Sequence, residues 1–283
     1  MRNQNQKNLK TKGITKNSSH HYGSRPQKPH FEASPNSILI FGKHPTFAAL
    51  EKKRRRIFEI FVTRNTQNEI EEFLKKQQLH SLLKLISVTD NSQIENMVGR
   101  EAAHQGFVLR ASKLPLKTQN DLLEELYEFE EGAKLPTLVL LDQISDPHNV
   151  GAIIRSAISF GAKKIIFCEH NAPKENATII KSSAGTIESA DLFVVTNFNN
   201  LMEKLKKIDY WCIGLDGYST HKISEIREYK NVALIIGSEG NGMRDLVKKN
   251  CDLLAKIEID KDVESLNASV AASIALYELS QRK

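Results

Sequence analysis

Three short stretches of this chain place groups that can do chemistry where a strand gives way to a helix. The first, "LDQISDPHNVGAIIR", holds Asp142, Asp146, Pro147, Asn149, Gly151 and Arg155. Asp146, Pro147 and Asn149 are good turn and helix-start residues, so their types alone do not demand a ligand. Arg155 is different, because it falls inside the helix. Helical side chains lean toward the N-terminus, and four residues earlier stands Gly151, with no side chain to obstruct. The guanidinium is therefore expected to lie back toward the strand ends, where a fixed cation suits a phosphate or a ribose hydroxyl losing its proton. The same spacing also allows a buried ion pair with Asp142 or Asp146.

The second stretch, "ALIIGSEGNGM", ends a strand at Gly237 and continues through Ser238, Glu239, Gly240, Asn241 and Gly242. Its order is G-x-x-G-x-G, not the G-x-G-x-x-G of a dinucleotide fingerprint, and it falls late in the alternating strand–helix series. Glu239 would repel a pyrophosphate and suits a cationic or hydroxyl-bearing ligand. These features disfavour a nucleotide-dependent oxidoreductase. The third stretch, "IEIDKDVESLNASVAASIALYEL", reads as a strand ending around Ile259, a six-residue turn and a helix from about Ser265. Ser265 suits an N-cap, and Asn267 then falls in the first turn. Leu266, Val270, Ile274 and Tyr277 form an apolar stripe. Ala268, Ala271, Ala272 and Ala275 form a small face fit for close packing on a neighbour.

The elements that must position these groups follow from periodicity. From Thr137 onward the apolar runs "TLVLLD", "KKIIFCE", "DLFVVT", "YWCIGLD", "VALIIGS" and "AKIEI" alternate with helical patterns over 149–160, 175–185, 199–208, 243–250 and 265–281. Continuous apolar strands separated by amphipathic helices predict an α/β domain with a parallel sheet covered on both faces. Ligands of such sheets collect at the carboxyl ends of the strands, where all three stretches lie. A smaller α/β unit spans residues 37–112, with a helix over 45–53, a strand Ile57–Thr63 and a helix carrying Ile70, Phe73 and Leu74. Its run "EKKRRR", with Lys52 to Arg56, suits either RNA phosphates or a solvated helix end. Residues 113–136, bounded by prolines and holding an acidic amphipathic helix, are expected to link the two units.

At 283 residues and a net charge of +6, the chain has ample length for a core. Residues 1–36 carry seven basic groups and one acid, which is the whole excess. They are poor in apolar residues and are expected to be a disordered basic tail able to hold RNA phosphates non-specifically. Few arginines and no amphipathic period speak against a transit peptide. No apolar run approaches a membrane span, and Cys168, Cys212 and Cys251 lack paired spacing. A soluble protein with reduced thiols in the cytoplasm is expected. Cys168 and His170 alone make a poor metal site.

Taken in order, D142…D146-P147-H-N149-V-G-A-I-I-R155, then G237-S-E239-G-N-G242, then S265-L-N267-A-S-V-A resemble the SpoU family of RNA ribose 2′-O-methyltransferases, within the knotted SPOUT superfamily. The resemblance covers 137–283. "FGKHPTFAAL" and "AAHQGFVLR" in 37–112 are similar to the L30e-like substrate domain of that family, and the overall similarity is to the subgroup that methylates a guanosine of large-subunit ribosomal RNA. The basic leader is outside the pattern.

The resemblance implies a trefoil knot, a homodimer, and S-adenosyl-L-methionine held by Gly237, Gly242, Ile257, Ile259 and Leu266, largely through backbone. It gives Arg155 the stabilisation of the ribose alkoxide, Asn149 and Glu239 the orientation of Arg155 and the ribose, and Ser265 and Asn267 the shape of the loop between cofactor and RNA. A transfer-RNA target is the alternative substrate, and a non-catalytic RNA-binding or assembly factor of the same fold the alternative function. Where the family has Ile-Pro-Met, this chain has Ile257-Glu258-Ile259, which puts a carboxylate into the cofactor loop.

Overall fold

A computed structural model describes residues 36–282 except residue 131. All but the last residue of the expected basic tail lies outside the described residues. The chain runs β1 (Ser37–Phe41), α1 (Lys43–Lys52), β2 (Ile57–Thr63), α2 (Gln67–Lys76), β3 (Ile86–Thr89), α3 (Asn91–Val98) and β4 (Phe107–Ser112). Next come β5 (Lys117–Thr118), α4 (Gln119–Tyr127), β6 (Leu138–Asp142), α5 (Pro147–Ser159), β7 (Lys164–Cys168), α6 (Ala177–Ser182), β8 (Asp191–Val195) and α7 (Phe198–Lys206). It closes with β9 (Trp211–Leu215), β10 (His221–Lys222), β11 (Val232–Gly237), α8 (Asp245–Lys249), β12 (Leu253–Lys256) and α9 (Ala268–Ser280).

The first sheet has the order β1-β4-β2-β3, with β4 antiparallel to both β1 and β2 and only β3 running parallel to its neighbour. The second has eight parallel strands in the order β10-β12-β9-β11-β6-β7-β8-β5. All five residues of β6 and of β7 are buried, as strands covered on both faces require. On one face Val139, Leu141 and Ile165 pack with Ile153 and Ile154 of α5 and Ala272 and Leu276 of α9. On the other, Leu138, Leu140 and Ile166 pack with Leu122 and Leu126 of α4 and Leu201 and Leu205 of α7.

Residues 113–136 do not run free between the units. β5 pairs with β8 at the edge of the large sheet, and α4 starts from a capping box between Thr118 and Asp121. That reciprocal bond, with Thr118 N donating to Asp121 at 2.6 Å, holds the Asp121 carboxyl below its usual range.

The basic run after α1, open on sequence to RNA phosphates or to a solvated helix end, has a further role for two of its members. Arg55 is 6 % exposed. Its Nε donates to both oxygens of Glu188, at 2.8 and 3.0 Å, one terminal nitrogen donates to the Ser112 carbonyl at 2.9 Å, and the other pairs with Glu175 and Glu188. Burial opposes its charge, but the two carboxylates outweigh burial and hold its pKa above the usual value. Arg54 caps the carbonyls of Glu188 and Ala190, at 3.2 and 2.5 Å. Two of the five cations thus fasten the small unit to the large one at the 3-10 turn Thr186–Ser189, just after the left-handed residue Lys53 (φ 54°) that ends α1. Lys52, Lys53 and Arg56 stay exposed.

The last helix also differs from expectation. Its buried side is Ala268, Ala272, Ala275, Leu276 and Leu279. Val270 and Tyr277, expected on the core stripe, are 46 % and 48 % exposed. The small side chains let α9 lie close against α5 and β11, so most of the alanine face is spent within the chain while Val270 and Tyr277 point outward. The three thiols are free. Burial raises those of Cys212 and Cys251 to about 12, and the Cys168 sulfhydryl donates to the Thr196 carbonyl.

Candidate functional site

The site forms where β6 and β11 end side by side, with Asp142 and Gly237 in register. Asp142 is fully buried. It accepts from the backbone N–H of Arg244 and from its Nε, both at 2.8 Å, and lies 2.7 Å from a terminal nitrogen. This carboxylate therefore ties the first corner to the start of α8 and faces no ligand. Asp146 is likewise committed, as the N-cap of α5, accepting from His148 N at 3.1 Å. The ion pair of Arg155 with either acid, allowed by spacing, does not form.

The glycines of the second corner have local causes. The loop folds back on itself through reciprocal backbone bonds between Ser238 and Gly242, at 3.0 and 2.9 Å. A Cβ on Gly237 would fall 2.2 Å from the Gly242 carbonyl carbon, and Gly240 and Gly242 take φ of +85° and +66°, where L residues are strained. This closed turn holds the exposed Glu239 out over the strand ends.

The third corner joins the other two. β12 ends at Lys256, not around Ile259, and α9 starts at Ala268. Ser265 is exposed and precedes the helix. The N-cap is Asn267, whose Oδ1 accepts from Ser269 N at 2.9 Å and from Ser269 Oγ at 2.6 Å. An asparagine caps as well as a serine, and Asn267 directly precedes Ala268, whereas Ser265 lies two residues further out. The amide nitrogen then reaches Asn149 Oδ1 at 3.0 Å and Glu239 Oε2 at 3.1 Å. One side chain from each corner thus meets in a single chain of hydrogen bonds. Two turns along, Ser156 of α5 meets Ser273 of α9 at 2.7 Å, and Ser273 Oγ donates to the Ser269 carbonyl at 2.7 Å. The two helices that carry Asn149 and Asn267 are pinned at two points.

Arg155 is exposed, and among the described residues its guanidinium makes no hydrogen bond or ion pair. The reason given for its reach needs correction. Gly151 is buried against α6, where an added Cβ would meet Ser182 Cβ at 2.6 Å and the Ile179 carbonyl oxygen at 2.7 Å. Its bareness serves the α5–α6 crossing, not a path for Arg155. The arginine lies on the same helix as Asn149 and is not bound into the cluster.

Next to the cluster runs the irregular segment 257–267. Ile257 and Leu266 are half-buried and Ile259 is 37 % exposed. Among the described residues no hydrogen bond within the chain takes the backbone groups of Ile259 or Leu266. Apolar side chains with free backbone donors and acceptors fit an adenosine, whose ring edge hydrogen-bonds and whose face is apolar, and fit a phosphate poorly. Glu258 does not enter this surface. Its carboxylate pairs with Lys222 at 3.0 Å, on the outer side. Sequence reasoning missed Ser156, Ser269, Ser273 and Arg244. Serines four apart on a helix and an arginine before one are too common to stand out.

The large unit matches the SpoU rRNA Methylase family over residues 136–277. The small unit matches a family described as RNA 2'-O ribose methyltransferase substrate binding over residues 39–116. The chain is 34 % identical over 243 residues to the 23S rRNA (guanosine-2'-O-)-methyltransferase RlmB of Photobacterium profundum, covering 85 % of this chain and 96 % of that protein. It is 31 % identical over 245 residues to the uncharacterized tRNA/rRNA methyltransferase slr0955 of Synechocystis sp., covering 87 % of this chain and 62 % of that longer protein. Among solved structures, the SpoU methyltransferase AviRb of Streptomyces viridochromogenes in complex with AdoMet shares the fold. Its TM-score is 0.68 at 20 % identity, covering 87 % of this chain and 90 % of that one.

Proposed function

Because the chain belongs to the SpoU rRNA Methylase family, we propose that it transfers a methyl group from S-adenosyl-L-methionine to a ribose 2′-hydroxyl of RNA, at a guanosine of large-subunit ribosomal RNA. The observation that carries this reading is the Asn149–Asn267–Glu239 chain of hydrogen bonds, which unites the three motifs beside an apolar, backbone-lined segment. The relatives named for 23S rRNA methylation support the substrate. One named for transfer or ribosomal RNA keeps a transfer-RNA target as the alternative.

S-adenosyl-L-methionine, when bound, supplies a methyl group on a sulfonium that leaves without needing an acid. The residues present would hold it through Gly237 and Gly242 of the closed turn, and through Ile257, Ile259 and Leu266 of the irregular segment. It would supply the methyl carbon to the ribose O2′ with a neutral thioether as leaving group, and the 2′-proton would pass to water at this solvent-open site. What the chain contributes is alignment and charge. Arg155 supplies the cation for the developing alkoxide, Asn149 and Glu239 orient the ribose, and Ser265 and Asn267 shape the wall between the two substrates. The unpartnered state of Arg155 suits this role, since a ribose–phosphate backbone brings the anion it lacks.

The small unit belongs to the reading as an L30e-like RNA-binding module, supported by its family match. The trefoil knot belongs to it as well. After β12, beyond β9 in the sheet, the chain returns past β11 to set α9 against α5. We extend the reading to a homodimer in the cytoplasm, where ribosomal RNA is assembled. The stripe of Val270 and Tyr277, with Phe160 edge-on to Tyr277 at 5.8 Å, gives it an apolar contact surface.

Methyl transfer to total RNA, mapped by 2′-O-methyl site, tests the reading. One nucleotide of large-subunit RNA is expected to gain the mark. Arg155→Ala and Asn149→Ala are each expected to lower kcat at least ~100-fold, as loss of a group acting on the transition state does. A mark confined to transfer RNA would move the substrate, and unchanged turnover in both variants would overturn the roles.

A further inference from the structure

Polarity runs in one direction through the cluster. A backbone N–H can only donate, so the Asn267 atom facing Ser269 N must be oxygen. Ser269 Oγ, at 2.6 Å from the same oxygen, adds a second donor. The Asn267 nitrogen is thereby turned to the other side, and its two hydrogens meet two acceptors, Asn149 Oδ1 and Glu239 Oε2. With its oxygen taken, Asn149 keeps its own amide nitrogen for whatever enters the cleft. The serine ladder repeats the direction. Ser273 gives its only hydroxyl proton to the Ser269 carbonyl, so Ser156 must donate to Ser273.

We infer that Asn267 and Ser269 are positioning residues that set the polarity of the site, so that Asn149 turns its amide nitrogen outward and meets the incoming RNA ribose as a hydrogen-bond donor. What Asn149 faces rests on the methyltransferase reading, whereas the polarity rests on the backbone N–H of Ser269. The arrangement leaves the second oxygen of Glu239 as the charged acceptor of the cluster. It also separates Asn267, which touches only protein, from Asn149, which touches substrate.

Two measurements on the full chain test this. In side-chain amide spectra, with Asn267→Asp and Asn149→Asp each used to assign the signal it deletes, the Asn267 NH2 pair is expected to be protected from exchange. The Asn149 pair is expected to exchange with solvent and to slow when a short RNA carrying 2′-hydroxyls is added. Fast exchange at Asn267, or protection at Asn149 without RNA, would overturn the inference whether or not the chain methylates anything.

In turnover, Asn267→Asp keeps a helix cap but offers oxygen where nitrogen stood, which forces Asn149 to reverse. We expect kcat to fall ~100-fold with KM for the cofactor unchanged. Ser269→Ala removes one of the two donors and is expected to lower kcat about fivefold to tenfold, the effect of one net hydrogen bond. Ser269→Thr keeps the hydroxyl and should return kcat to within about twofold of the parent. Equal loss in Ser269→Ala and Ser269→Thr at equal melting temperature would show packing at work in place of polarity. Absence of transfer by the parent chain would overturn the methyltransferase reading alone.

Discussion

Taking the Arg55 guanidinium out of water costs several kcal/mol, and two carboxylates offset that cost only while all three partners remain. Glu188 is held in the same trap, because burial pushes its carboxyl up against the pull of Arg55. Arg55→Met should therefore destabilise the fold by about 3–5 kcal/mol, read from urea denaturation. The triple variant Arg55→Met with Glu175→Gln and Glu188→Met should regain most of that loss, since it leaves no buried charge unpaired. A single variant as stable as the parent would show that the pair contributes nothing. Arg155 stands in the opposite condition. It is solvated and partnerless among the described residues, so its removal costs little stability and its effect belongs to turnover.

Helix α5 serves three neighbours at once, and each claims a different stripe. Ile153, Ile154 and Ala157 face the sheet, Asn149 and Ser156 face α9, and Gly151 faces α6. The Gly151 stripe admits no added atom. Gly151→Ala gains about 1 kcal/mol of helix propensity. It also drives a methyl to 2.6 Å from Ser182 Cβ and 2.7 Å from a backbone oxygen, an overpacking that costs about 1–3 kcal/mol. The clash involves backbone, which cannot swing aside, so the cost wins and the melting temperature should fall. Turnover should fall with it, because α5 cannot shift without moving Asn149 away from Asn267. A variant more stable than the parent would show that α6 yields.

At the scale of the molecule, the two units are joined by the Arg54 and Arg55 contacts and by β5, which extends the large sheet from within the connecting segment. The exposed face of α9 is the contact surface of the proposed homodimer. Tyr277→Asp, alone or with Val270→Asp, should move the chain in light scattering from twice its mass to its own mass. Helix content should be retained, since both side chains are about half exposed. A parent chain that already runs at single mass would remove the homodimer from the proposed function.

The alternation of buried strands with amphipathic helices was legible in residues 137–283, because burial on two faces leaves continuous apolar runs that nothing else explains. The three polar corners were legible too, as residue types that a plain strand–helix turn does not need. Which atoms meet was not. Asp142 at a strand end and Arg155 inside the next helix read as possible partners, yet one is locked to Arg244 and the other is left to solvent. Gly151 read as clearance for an arginine and is clearance for a helix. Arg55 read as a phosphate contact or a solvated charge and is an internal clamp. In each case the partner lies tens of residues or more away in the chain, or on another face of the same helix. Sequence spacing constrains neighbours within a turn, whereas a long-range contact exists only once packing has chosen which faces touch.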